Sequence, residues 1–192
     1  DAREPVCRLL FYSGPKRLLF VFGGLLAIGC FAPEKLRRRL YFPPGETARR
    51  NWLVVLATLI SAPLLISTSK AVTHVFCPFE LARYGGAQAY KPVCERYTKD
   101  DRPNKFGRGF PAGHASGGFA LLSLAGVGVT RRSRFAGFAI GLTAGTLMGA
   151  YQILKGAHFL SHTLVTALLC WIVFLGWRRV FNSASGKGNA LP

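Results

Sequence analysis

Two polar stretches, set in a chain whose residues are 50% hydrophobic, hold the side chains best suited to chemistry. The first runs Lys99–Asp100–Asp101–Arg102–Pro103 and then Arg108–Gly109–Phe110–Pro111–Ala112–Gly113–His114–Ala115–Ser116. The second is Tyr151–Gln152–Ile153–Leu154–Lys155–Gly156–Ala157–His158–Phe159–Leu160–Ser161–His162. Pro111 can open a helix without wasting an amide donor, and Gly113 lets another group approach the backbone closely. His114 then falls near a helix N-terminus, where free amides and the helix dipole favour an anion. Arg102 and Arg108 can bring forked guanidinium groups to that anion, a geometry that suits phosphate. His158 and His162 are four residues apart and share a face once a helix has begun.

Two imidazoles among several cations suit phosphoryl transfer. One can attack phosphorus and form a phosphoenzyme, while the other protonates the leaving oxygen and then activates water. Cations stabilise the oxyanion charge that develops. Neither step calls for a metal, and the cysteine–histidine spacings do not make a zinc site. Histidines at such a spacing also occur as packing or lipid-facing residues, so composition and spacing alone leave a structural role and a catalytic one both open.

The elements that must position these groups are membrane helices. Five apolar segments stand out: Leu18–Pro33, Trp52–Ser69, Ala112–Thr130, Phe135–Leu154 and Phe159–Trp177. A bilayer crossing takes about 20 residues of helix, and the first segment alone falls clearly short of that. Basic residues lie between the apolar runs and not along one face. Lys35, Arg37, Arg38, Arg39, Arg49 and Arg50 fill one link, Arg131, Arg132 and Arg134 another, and Arg178, Arg179 and Lys187 follow the last segment. The formal net charge of +17 therefore points to anionic lipid headgroups and away from nucleic acid.

If each segment crosses once, the three basic clusters share a side, and the positive-inside tendency puts that side in the cytoplasm. The N-terminal segment, the link Lys70–Pro111 and the turn Lys155–His158 then face outward, which brings His114, His158 and His162 to one membrane face. An outward N-terminus also leads to the expectation of a spanning helix before Asp1 that this chain lacks. Residues 1–192 otherwise read as one domain, with a Gly-, Ser- and Ala-rich tail over 182–192 expected to fray. Gly137, Gly141, Gly145 and Gly149 recur every four residues, a ridge that lets a second helix pack closely. Pro63 is expected to bend its helix. Cys77 and Cys94 share the outward link and can pair as a disulfide in an oxidising compartment, whereas Cys30 and Cys170 read as packing residues.

Arg102–Pro103, then Pro111–Ala112–Gly113–His114, then His158 resemble, in that order, the type-two phosphatidic-acid phosphatase family. Its signatures are an Arg-Pro element, a Pro-Ser-Gly-His element and a final Ser-Arg…His…Asp element. The resemblance covers roughly Trp52–Trp177. It implies an all-α, polytopic membrane bundle that admits a phosphate headgroup near the membrane surface while the lipid tails stay in the bilayer. It further implies His158 as nucleophile, His114 as acid, Arg102 as phosphate clamp and no metal cofactor. A bacterial inner membrane with the site facing the periplasm is the implied setting. The partner class is a phosphorylated membrane lipid such as lipid A phosphate, polyprenyl diphosphate or phosphatidylglycerophosphate, to be hydrolysed. Phosphoryl transfer to a lipid acceptor and noncatalytic binding of anionic lipid are the alternatives.

The sequence departs from the family pattern at four places. The lysine seven residues before the arginine falls at Glu95, the Ser-Arg pair at Tyr151–Gln152, the last aspartate at His162, and the serine before Gly-His at Ala112. Lys99, Lys155 and Arg108 are the expected substitutes for the missing cations. His162 is expected to accept a hydrogen bond from His158 in place of the carboxylate.

Overall fold

Runs of Leu, Val, Ile and Ala without interior charge can satisfy every backbone donor and acceptor within one segment only as helix, which a bilayer requires. The computed structural model describes residues 4–39, 42–93, 95, 97–99 and 103–186, so Arg102 and Cys94 lie outside the described residues. Helix α1 spans Pro5–Phe31 and contains a π-helical stretch, Leu9–Ser13. Short α2 is Glu34–Arg39, and α3 is Glu46–Thr73, continuing through Pro63. After a long link come α4, Gly113–Ala120, and a 3-10 segment, Leu121–Gly126. Helices α5, Arg131–Leu154, and α6, Leu160–Gly186, complete the bundle. Among the described residues, α1, α3, α5 and α6 are long and apolar enough to cross a membrane, making this a multi-pass membrane protein.

The five expected crossings are thus four long helices and one shorter element. Ala112–Thr130 does not form a single α-helix. Its Ser116 and Ser123 hydroxyls donate to carbonyls three residues earlier, at 2.6 Å each, and such side-chain bonds compete with regular helix. Its second part tightens to 3-10 geometry. Eight residues at 1.5 Å and six at 2.0 Å still cover about 24 Å, most of a bilayer core. This element lies among α3, α5 and α6, with Ala115, Ser116, Gly118, Phe119 and Ala120 all buried. The first crossing also differs: it starts at Pro5 and takes Lys16 and Arg17 into the helix as exposed residues. Long stems let such charges reach the headgroup layer from within a helix. At the other end, α6 runs past Asn182 to Gly186.

The glycine ridge packs as its spacing implies. Gly137, Gly141, Gly145 and Gly149 of α5 are all buried. They face, in turn, the backbone at Leu124, the backbone at Leu121–Leu122, the Phe119 ring and Thr163. Side chains on Gly137 and Gly141 would push the 3-10 segment away, and side chains on Gly145 and Gly149 would press on α4 and α6. On the opposite side, α1 is held chiefly near its C-terminal end. Leu26, Gly29 and Cys30 are its buried residues; Gly29 lies under the Phe42 ring, and Arg49 Nε–H donates to the Cys30 carbonyl at 2.9 Å.

Candidate functional site

The link between α3 and α4 is closed on itself by two hydrogen bonds and tied to the α5–α6 turn by a third. Thr73 Oγ1 donates to the Phe110 carbonyl at 2.6 Å, Gly109 N–H to Val75 O at 2.6 Å, and Phe79 N–H to Gly156 O at 3.0 Å. Gly109 passes so close to the chain at Phe76 that a β-carbon there would lie 2.8 Å from the Phe76 carbonyl oxygen. A residue without a side chain is needed at this crossing. Pro111 does not open α4, as its position suggested; it precedes the helix, and Ala112 is the N-cap. The Ala112 N–H donates to Thr166 Oγ1 at 2.9 Å, and that hydroxyl donates onward to the His162 carbonyl at 2.8 Å. A threonine of α6 thus docks the start of α4.

His158 and His162 are 4% and 5% exposed. His158 Nδ1 lies 2.7 Å from the Gly109 carbonyl oxygen and His162 Nδ1 lies 2.9 Å from the same atom. A carbonyl oxygen has two lone pairs and no proton to give, so both rings must donate through Nδ1–H. The expected hydrogen bond from His158 to His162 is therefore replaced. The two rings stand edge to face at 5.9 Å and share a backbone acceptor. Donation through Nδ1 leaves the Nε2 lone pair of His158 available. Burial, reinforced by the charge of Lys70, pushes the His158 imidazole down to about 3, and the Gly109 hydrogen bond only partly opposes this. The ring is neutral at physiological pH.

Lys70, on the last turn of α3, was not among the candidates read from the sequence. Its ammonium lies against Gly113, so close that a β-carbon on Gly113 would come within 3.3 Å of Nζ. Its charge acts on His114, His158 and His162 alike. A signal was present: Lys70 stands seven residues before Cys77–Pro78, the family's lysine spacing, with cysteine in the arginine's place. Its position near the end of an apolar segment concealed it. Arg108 is exposed and near enough for its charge to act on Lys70.

His114 occupies the second position of α4, and its Nδ1 is buried without a hydrogen-bond partner. The Tyr12 ring from α1 lies against it, centroids 4.4 Å apart, and Lys16 acts on it electrostatically. Lys155 is exposed and places its ammonium over the Tyr151 ring at 5.5 Å. Lys99 is exposed in the link between α3 and α4. Cys77 carries a free thiol, and its N–H donates to Glu80 Oε2 at 2.7 Å across a tight turn. Beside His162 opens a cavity of about 720 Å³ lined by Arg83, Tyr84, Tyr90, Lys91 and Phe159 among others. Among the described residues, no three His, Cys, Asp or Glu side chains gather in a way that could hold a metal ion.

Fold and site together define a polytopic helical membrane protein with paired histidines and a half-buried lysine gathered where α3, α4 and α6 meet. The family model for the PAP2 superfamily matches residues 51–185, and the chain belongs to that superfamily. No curated protein and no solved structure matches the chain. The matched region holds the three histidines and Lys70; α1, with Tyr12 and Lys16, precedes it.

Proposed function

We propose that this protein is a phosphatase that hydrolyses a lipid-linked phosphate or diphosphate at the outer face of the membrane, through a phosphohistidine on His158. The observation that carries this reading is the Nδ1 contact of His158 with the Gly109 carbonyl, which leaves the Nε2 lone pair of a neutral ring free within electrostatic reach of Lys70 and His114.

In the first step the Nε2 lone pair attacks phosphorus and the bond from phosphorus to the lipid oxygen breaks. The leaving oxygen takes a proton from His114; burial and the charges of Lys70 and Lys16 push that imidazole down to about 4 in the free protein, and the substrate's own negative charge opposes this and favours the protonated form. In the second step neutral His114 takes a proton from water, the resulting hydroxide attacks phosphorus, and the P–N bond breaks to release phosphate. His158 and protonated His114 are restored, so the cycle balances. Lys70, Arg108 and the first amides of α4 stabilise the charge on the equatorial oxygens. Gly113 keeps the backbone open to Lys70. Arg102 is a further clamp in this scheme, with Lys99 and Lys155 more remote cations at the headgroup level. His162 is a positioning residue that shares the Gly109 acceptor and helps fix the His158 ring.

The cavity beside His162 gives room for the polar part of a large headgroup, which suits lipid A phosphate, polyprenyl diphosphate or phosphatidylglycerophosphate as substrate classes. The bacterial inner membrane, with the site on the periplasmic side, is the proposed location. The deciding experiment measures phosphate release from a panel of lipid phosphates in detergent micelles, with and without EDTA, for wild type and His158→Ala. Release that survives EDTA and vanishes in His158→Ala is the expected result. A folded wild type that releases nothing across the panel sinks the hydrolase assignment and favours an acceptor-dependent transferase or a noncatalytic lipid binder.

A further inference from the structure

A groove in the membrane-spanning part of the bundle separates α1 from the α4–α5 pair. It encloses about 330 Å³, and its lining includes Leu19 and Phe22 of α1, Leu121 of the 3-10 segment, and Ile140, Ala144 and Met148 of α5. The three α5 residues are spaced by one turn each, so the groove follows that helix for about 12 Å. Its upper end meets the site. Met148 lies one turn from Tyr151, which stacks on Phe11 at 5.8 Å. Gly118, another lining residue, is one turn from His114. Leu19 packs against Gly117, and two turns above it on α1 Tyr12 covers His114. Charge is confined to that upper end, where Lys16 acts on His114 and Arg8 lies 5.8 Å from the Tyr12 ring centroid.

The way α1 is held explains the opening. Its buried residues, Leu26, Gly29 and Cys30, are all in its C-terminal half, and the π-helical stretch nearest the site has none. A π-helical insertion shifts the side chains that follow it around the helix, and such insertions often mark functional sites. Here it lies between Arg8 and Gly14 and contains Tyr12, the residue that packs on His114. An apolar slot that opens sideways within the bilayer, with cations and the proposed acid at its upper end, matches an amphiphile carrying one long hydrocarbon chain and an anionic head.

We propose that this groove holds the hydrocarbon chain of the phosphorylated lipid, with Tyr12 and Lys16 at its mouth guiding the leaving oxygen to His114. The proposal rests on the function above and adds to it that the substrate is a long-chain lipid entering past α1, a helix outside the matched region of the superfamily. Tyr12 acts as a positioning residue for His114.

Two experiments test it. The first compares a hexadecyl phosphate with a butyl phosphate in wild type, Ala144→Phe, which fills the groove, and Leu168→Trp, which changes an exposed residue of α6. The ratio of kcat/KM for long over short chain is expected to fall at least tenfold in Ala144→Phe and to hold in Leu168→Trp. An unchanged ratio in Ala144→Phe, or an equal fall in both variants, overturns the groove. The second needs no turnover. A hexadecyl phosphonate bearing a mid-chain diazirine is irradiated with the wild-type protein in nanodiscs, and the adducts are mapped. Adducts concentrated on residues 19–22 and 121–148 and suppressed by excess unlabelled phosphonate are expected, whereas even labelling of all lipid-facing helices refutes the proposal. If wild type hydrolyses neither phosphate, the phosphatase assignment fails while the adduct map still decides the groove.

Discussion

At the scale of single residues, the site divides into groups with separable effects. His114→Ala is expected to lower kcat by about 10²–10⁴ with little change in KM, the range for loss of a general acid. Steady-state kinetics on a hydrolysed lipid phosphate check this. Lys70→Ala is expected to cost about 10²–10³ in kcat, as for loss of one preorganised donor to a developing oxyanion, and Lys70→Arg to recover part of it by keeping the charge. Equal kcat in wild type and Lys70→Ala would remove Lys70 from the site. His158 also links pH to stability. An unfolded histidine takes up a proton as pH falls through about 6.5, whereas the folded ring resists protonation down to about 3. The unfolded chain therefore binds more protons between those values, and stability falls as pH falls through that window, having been fully present above it. Thermal unfolding in detergent should show the Tm of wild type dropping relative to His158→Gln between pH 6.5 and pH 4. The histidines were legible because their types and order are unusual in an apolar chain. Lys70 was not, since it ends an apolar helix and its place at the site comes from the fold of the link beyond it.

At the scale of elements, the long helices could be read from apolar runs, but their ends could not. Charge near a run was taken as its boundary, yet Lys16 and Arg17 lie inside α1. The Ala112–Thr130 segment looked like one continuous α-helix because hydropathy does not register serine hydroxyls that turn back on the backbone. The four-residue glycine repeat, in contrast, gave the packing face directly, because only close approach of another backbone makes use of such a ridge. Gly141→Ala is expected to destabilise the bundle by about 1–3 kcal/mol through overpacking, because its β-carbon would press on the backbone at Leu121–Leu122. The same change at Gly176, where nothing lies within 4 Å, should leave Tm nearly unchanged. Similar Tm values for the two variants would contradict the packing described.

At the scale of the whole molecule, charge asymmetry makes a statement about orientation that accessibility can check. Lys105 is exposed in the link that carries the site, and Arg132 is exposed at the far end of α5. A membrane-impermeant maleimide added to intact cells is expected to label Lys105→Cys and to reach Arg132→Cys only after permeabilisation; the reverse pattern inverts the proposed topology. The path of the chain also decides something that no side chain encodes. Gly109 joins the end of α3, through its N–H to Val75, to both histidines, through its carbonyl. A carboxylate in that role titrates and can be deleted by exchanging one residue. A peptide carbonyl does neither: it keeps its alignment in acid, and it persists through every side-chain replacement that leaves the loop in place. Gly109→Ala would disturb this arrangement by crowding the chain at Phe76, whereas an ester at the Gly109–Phe110 linkage would weaken the shared acceptor alone.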